Sequence, residues 1–230
     1  MELTGSYRHE LKYQISPADA LALRQRLRAV MKRDPHTGAD GFYTIRSVYF
    51  DNYKDKALRE KVNGVQKREK FRIRYYNDDL SFITLEKKIK HNDLCMKIDA
   101  PLTVEEYQRI LREPGPWMLE HPDGLVRELY CKMKTQQFRP RVLVSYVREP
   151  YIYDAGNVRV TFDSYIRTSL FQRDFSGGAI SDICATDAPG DIVLEVKFDA
   201  FLPEIIRCLL QSEELRQQAF SKYGSCRRFG

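Results

Sequence analysis

Apolar and charged residues alternate along much of this chain with a period of two, the spacing at which successive side chains of a β-strand point to opposite faces. The alternation is plainest in Arg8-Glu10-Lys12, Arg72-Arg74, Glu86-Lys88, Arg159-Thr161-Asp163 and Glu195-Lys197. It predicts strands near 7–15, 43–50, 69–76, 81–90, 93–98, 140–149, 157–166 and 191–198. Over 17–32 the period becomes helical: Ala20, Leu23, Leu27 and Val30 form one stripe, behind a Ser16 N-cap and Pro17 at the first helical position. Further helices are predicted over 54–62, closed by Asn63-Gly64, over 103–112, opened by the capping sequence Thr103-Val104-Glu105-Glu106, over 123–136, and from Pro203 to about Phe220. Asn77-Asp78-Asp79 reads as a hairpin turn, and 174–190, with Gly177-Gly178 and Pro189-Gly190, as a flap. About eight strands, mostly antiparallel neighbours, imply an α+β fold: a single domain over 1–230 built as an eight-stranded antiparallel β-barrel with helices packed outside.

Composition supports a folded chain with an extensive polar surface. Of the 230 residues, 43% are hydrophobic, among them 12 Phe and 14 Tyr, and 30% are charged. The formal net charge of +6 is a modest bias toward anionic partners, informative only if the positive charge is concentrated. Cys95, Cys131, Cys184, Cys208 and Cys226 are scattered, without a CxxC pair, which indicates neither a zinc site nor a disulfide framework. No apolar run approaches the length of a bilayer span. The expectation is a cytoplasmic protein. A peripheral position at the inner face of a membrane, through a membrane-protein partner in trans, stays open.

The strand pattern places charges from distant segments on one face. On a single strand, a mixed polar face is ordinary solvated surface. Here the basic positions are mostly Arg, whose planar fork suits bidentate phosphate binding. Carboxylates among phosphate-binding arginines would repel a bare phosphate, but Glu10, Glu86 and Glu195 are suited to hold Mg²⁺ or Mn²⁺, which take oxygen ligands and bridge to phosphate. Glu10 and Glu86 are equally open to the role of structural partners for neighbouring arginines. Phosphoryl transfer depends mainly on positioning and charge stabilisation, so basic residues and a metal suffice and no Ser or Cys nucleophile is required.

These residues resemble a known family. Arg8-His9-Glu10-Leu11-Lys12-Tyr13, Ser47-Val48-Tyr49-Phe50-Asp51-Asn52, Phe71-Arg72-Ile73-Arg74-Tyr75-Tyr76, Leu85-Glu86-Lys87-Lys88, Ser145-Tyr146-Val147-Arg148, Val160-Thr161-Phe162-Asp163, Leu194-Glu195-Val196-Lys197 and Ser221-Lys222-Tyr223 are similar to the ordered motifs of the vacuolar transporter chaperone (VTC) catalytic domain, a polyphosphate polymerase among the triphosphate tunnel metalloenzymes. The resemblance runs from Tyr7 to Tyr223. It implies a tunnel that binds ATP, inorganic triphosphate or polyphosphate with Mn²⁺ or Mg²⁺ and makes polyphosphate from the γ-phosphate of ATP. Carried over, Lys12, Arg72, Arg74, Lys88, Arg148 and Arg159 grip phosphate, Lys222 reaches in from the C-terminal helix, and Glu195 ligates the metal. Arg8 and Lys197 join the phosphate-binding set, and Glu10 and Glu86 the metal candidates. One departure is Ala219, where the eukaryotic domain carries a second basic residue three positions before the one matched by Lys222. A triphosphatase and an idle polyanion-binding module are the rival readings. No nucleic-acid partner is expected, because a closed tunnel excludes folded RNA.

Several conspicuous residues are assigned no chemistry: His9 and His91 as rim or surface groups, Trp117 as a packing anchor, Tyr43, Tyr49, Tyr75 and Tyr146 as core, and Arg227-Arg228 as solvated tail.

Overall fold

The structure, a computed structural model, describes residues 6–169, 183–184, 190–211 and 217–227. Eight long strands carry the architecture: β1 (Arg8–Ile15), β3 (Tyr43–Asp51), β4 (Lys67–Tyr76), β5 (Asp79–His91), β6 (Leu94–Leu102), β7 (Arg139–Tyr153), β8 (Val158–Thr168) and β10 (Ile192–Phe198). Two short ones, β2 (Lys32–Arg33) and β9 (Ile183–Cys184), sit beside β7 and β8. The order β7-β3-β4-β5-β6-β1-β10-β8, with β8 pairing back to β7, closes the eight long strands into an antiparallel ring. Closure divides every strand into an inner and an outer face, with the seam between β1 and β6 held only at Arg8 and His9.

Local chemistry sets the boundaries. The β4–β5 hairpin turns at Asn77 and Asp78, both at positive φ (50° and 58°), which is the backbone that a two-residue turn matched to strand twist requires. Helix α1 (Pro17–Arg28) starts at a complete capping box between Ser16 and Asp19, and α3 (Val104–Arg112) at one between Thr103 and Glu106. The expected 17–32 helix stops four residues early, because Lys32 and Arg33 pair with Ile152 and Tyr151 on β7. Helices α2 (Lys56–Val62) and α4 (Gly124–Thr135) lie close to their predicted positions.

The outer faces of the strands bury the main hydrophobic clusters. Phe71, Ile73, Leu85 and Ala100 pack with Tyr107, Ile110, Leu125 and Leu129 of α3 and α4. Val160, Phe162, Leu194 and Val196 pack with Leu23 and Leu27 of α1. With the apolar residues under the helices, the charged alternates of the same strands face the barrel interior. A bulge at Tyr165 (φ 52°) interrupts this parity on β8, leaving Tyr165 exposed and Ile166 buried.

The C-terminal region departs from expectation. The helix predicted to reach Phe220 ends as α5 (Glu204–Leu210). Gln217 instead bridges to Tyr13, and the Gln218 amide donates to the Lys12 carbonyl at 2.9 Å. The cause lies in β1, which pairs with β6 only at Arg8 and His9, so its backbone beyond that point needs another partner. A separate helix α6 (Lys222–Cys226), capped by Ser221, follows. Arg227, expected to be solvated, is buried and paired with Asp55 at 2.8 Å. Of the predicted flap at 174–190, all but 183–184 and Gly190 lies outside the described residues.

Candidate functional site

The inward charges converge on a cavity of about 610 Å³. Its walls are inner-face residues of β1 (Glu10, Lys12), β4 (Arg68, Lys70, Arg72, Arg74), β5 (Lys88, Lys90), β7 (Tyr146, Arg148) and β10 (Glu195, Lys197), closed by Gln217–Tyr223 from the C-terminal segment. Cross-strand register explains the grouping. Arg72 lies opposite Glu86 and Lys70 opposite Lys88 on β4–β5, while Glu10 lies opposite Lys197 and Lys12 opposite Glu195 on β1–β10.

The β3–β4–β5 wall is built on guanidinium groups. Arg72 Nε donates to Glu86 Oε2 at 2.6 Å and its Nη1 to the Tyr49 hydroxyl at 2.9 Å. Arg74 donates to Ser47 Oγ at 3.2 Å and the Tyr146 hydroxyl at 3.1 Å, with Glu86 Oε1 3.7 Å away. Lys97 approaches the same Glu86 oxygen at 3.5 Å. Burial of Glu86 works against its charge, but Arg72, Arg74 and Lys97 outweigh it and hold the carboxyl well below the usual carboxylate range. Glu86, expected among the metal candidates, has both oxygens engaged by these three cations.

The β1–β10 wall, joined by Lys88 from β5, is built on ammonium groups. Lys88 Nζ lies 2.6 Å from Glu10 Oε1, Lys12 lies 3.4 Å from Glu10 and 3.5 Å from Glu195, and Lys197 lies 2.5 Å from Glu195 and 3.7 Å from Glu10. Two carboxylates are thus shared among three lysines. Burial would neutralise Glu10 and Glu195; Lys12 and Lys88 keep the first ionised, and Lys197, Lys12, Lys222 and Arg148 the second, so both sit below the usual range. Burial lowers Lys197 to about 8, despite Glu195 and Glu10. In Lys12 burial is overcome by the same two carboxylates, and its pKa rises.

Between the walls, Arg148 forms a bidentate pair with Asp163, both bonds at 2.7 Å, and Lys222 reaches Asp163 Oδ2 at 2.5 Å. Lys222 also stands over the Tyr146 ring, 4.7 Å from its centroid. Asp163 is fully buried and holds two of the cavity's cations in place.

The structure therefore brings together Lys12, Arg72, Arg74, Lys88, Arg148, Lys197, Lys222, Glu10 and Glu195, with Glu86 directly behind the arginines. Two expected phosphate contacts are elsewhere. Arg8 is turned to Asp199 at 2.8 Å, and Arg159 to Asp34 at 2.5 Å and the Tyr43 hydroxyl at 2.9 Å; neither lines the cavity. Their strands reach the barrel's end at these positions, where loop carboxylates compete for the guanidinium. Sequence reasoning passed over Arg68, Lys70 and Lys90, although they continue the two-residue alternation of Arg72-Arg74 and Glu86-Lys88. It also passed over Asp163 as an anchor, for which pairing across β7–β8 was the missing information. His9 lines the cavity with its ring stacked on Phe198, and His91 is exposed. Tyr43, Tyr49, Tyr75 and Tyr146 are buried, as read. Among the described residues no group of three or more His, Cys, Asp or Glu is arranged to hold a metal ion. Nor is any described helix long and apolar enough to cross a membrane.

The family model described as VTC domain matches residues 7–229 of the chain. No curated protein matches it. Among solved structures, the chain is similar to a Hippeastrum protein assigned as an adenylyl cyclase and described as having a dominant triphosphatase activity. The identity is 14%, 89% of this chain and 83% of that one are covered, and the TM-score is 0.52. A Bacillus halodurans protein assigned as an adenylate cyclase is also similar, at 14% identity, with 85% and 82% covered and a TM-score of 0.49.

Proposed function

Because the chain belongs to the VTC domain family, matched over residues 7–229, we propose that its cavity binds the triphosphate of ATP and transfers the γ-phosphoryl group to a linear inorganic polyphosphate, with Mn²⁺ or Mg²⁺ bound. The observation that carries this reading is the convergence of Lys12, Arg72, Arg74, Lys88, Arg148, Lys197 and Lys222 on one cavity that also holds Glu10 and Glu195.

In this reading a terminal oxygen of the acceptor chain attacks the γ-phosphorus, the bond to the β-phosphate bridging oxygen breaks, and ADP leaves. Arg72 and Arg74, locked by Glu86, Tyr49, Ser47 and Tyr146, present fixed donors to the equatorial phosphate oxygens. Arg148 and Lys222, oriented by Asp163, face them from the adjoining wall. Lys12, Lys88 and Lys197 exchange carboxylate contacts for phosphate contacts, so little of the site has to reorganise.

Glu10 and Glu195 fit a hard divalent cation. They are diagonal neighbours on the inner face of β1–β10, and two carboxylates are the complement that Mg²⁺ takes beside phosphate oxygens and water. A cation there would neutralise charge on the transferring phosphoryl group. Glu86 does not fit, because it does not line the cavity as Glu10 and Glu195 do and sits behind Arg72 and Arg74.

Hydrolysis of triphosphate, with water as acceptor, uses the same residues, and the triphosphatase activity of the Hippeastrum fold neighbour supports it as the second reading. Incubation of the pure protein with ATP and Mn²⁺, followed by gel separation and ³¹P NMR, separates the outcomes. Long chains are the expected product. Free phosphate indicates the triphosphatase, and unchanged ATP overturns both.

A further inference from the structure

Besides Lys61 of α2, the cations that line the cavity fall into two groups according to what neutralises them. Lys12, Lys88, Lys197, Arg72, Arg74, Arg148 and Lys222 each lie within ion-pair distance of Glu10, Glu86, Asp163 or Glu195. Arg68, Lys70 and Lys90 line the same cavity with no carboxylate at that distance among the described residues. Arg68 donates to the Val65 carbonyl at 2.7 Å, and Lys70 donates to Ser221 Oγ at 3.2 Å while standing 5.2 Å from the centre of the Tyr223 ring.

Their placement within the sheet is unfavourable in the unliganded protein. Arg68 lies directly opposite Lys90, and Lys70 opposite Lys88, in the β4–β5 register. Like charges opposite one another on the same face destabilise a strand pair. Burial, then Lys12, Lys88, Arg68 and Lys61, brings Lys70 down to about 7. Asp93 is the acidic residue of the cavity lining beyond Glu10 and Glu195, and it is exposed. A two-strand ladder of like charge, facing a cavity and lacking its own counterions, is stabilised by an anion that lies along it.

We propose that Arg68, Lys70 and Lys90 form a second phosphate subsite, next to the one that grips the reacting triphosphate, and that it holds the adjoining units of a linear polyphosphate chain. This rests on the polyanion reading of the cavity and adds a preference for chain length. Ligands with three phosphates fill the carboxylate-paired part, and longer chains extend onto the ladder.

The test compares tripolyphosphate with long-chain polyphosphate by calorimetry, on the wild type and on three variants: Arg68→Ala/Lys70→Met/Lys90→Ala, the charge-conserving Arg68→Lys/Lys70→Arg/Lys90→Arg, and the remote Lys32→Ala. Wild type is expected to bind the long chain more tightly. The neutral triple variant is expected to lose about tenfold of that advantage while tripolyphosphate affinity stays near wild type, and the charge-conserving variant and Lys32→Ala are expected to keep it. Equal loss for both ligands, or no loss for either, overturns the subsite alone. Failure of the wild type to bind either ligand overturns the polyanion reading beneath it.

Discussion

On the β3–β4–β5 wall, Arg72 and Arg74 are clamped by one buried carboxylate and three hydroxyls, whereas the two carboxylates of the β1–β10 wall are divided among Lys12, Lys197 and, reaching over from β5, Lys88. Guanidinium groups stay charged at any ordinary pH and keep a fixed fork. Ammonium groups titrate when buried and pivot on flexible stems. In the proposed reading the pair Arg72 and Arg74 is a rigid template for phosphate oxygens, and the lysines are the part whose charge and contacts would respond to ligand, metal and pH. Glu86, Glu10 and Glu195 look alike in the strand pattern and differ entirely in what their neighbours ask of them.

The largest expected effect breaks the rigid wall. Glu86 is 1% exposed and neutralises the buried Arg74 and the half-buried Arg72. Glu86→Gln leaves both without a counterion and should lower folding stability by about 3–5 kcal/mol, read from denaturant midpoints. Wild-type stability in this variant would mean that the arginines do not depend on it. Next in size are Arg72→Ala and Arg74→Ala, each removing a charge-assisted contact. Tripolyphosphate affinity should fall by about 1.5–3 kcal/mol, while Arg24→Ala, which pairs with Glu149 under α1, should leave it unchanged. Equal losses from both classes would indicate that overall charge, rather than the cavity, governs binding.

A smaller effect depends on pH, through Lys197 on β10 and Lys70 on β4. Lys70 sits at about 7 and Lys197 at about 8 in the folded protein, below the ordinary lysine value. Phosphate binding favours their charged forms, so affinity should fall as pH rises through 7 to 8. Titrations in buffers of different ionisation enthalpy should show proton uptake on binding. For folding the sign is opposite: above those values the unfolded chain holds the extra protons, so these two groups make the free protein more stable as pH rises. The lowered carboxyls of Glu10, Glu86 and Glu195 contribute stability that is present above the usual carboxylate range and lost as pH falls through and below it. The smallest expected effect is the exposed Glu204–Arg207 pair, where Arg207→Ala should leave both stability and binding within error.

Much of this was legible in the chain because a strand's period of two is strict. Once Arg72-Arg74 and Glu86-Lys88 alternate with Phe71, Ile73, Leu85 and Ile89, the inner face follows wherever the outer face is buried under helices. Capping boxes at Ser16 and Thr103 mark helix starts for an equally local reason. What was not legible depends on contacts between distant residues. Arg159 shares the parity of Asp163 yet is drawn off by Asp34, 125 positions away by number. The helix expected to reach Phe220 yields, at Gln217 and Gln218, to the open backbone of β1, which takes them as partners. Glu86 and Glu195 were separable only once their neighbours were known, chiefly Arg72 and Arg74 for the one and Lys197 and Lys12 for the other.

The central claim is that the lysine wall's carboxylates hold a metal for phosphoryl transfer. Turnover of ATP by Glu195→Gln, measured against Mn²⁺ concentration beside metal-free polyphosphate binding, tests it most directly. The substitution keeps the side chain's shape and removes its charge, so turnover should collapse while metal-free binding persists or strengthens, one repulsive charge having gone. Wild-type turnover with unchanged Mn²⁺ dependence in the Gln variant would contradict the account.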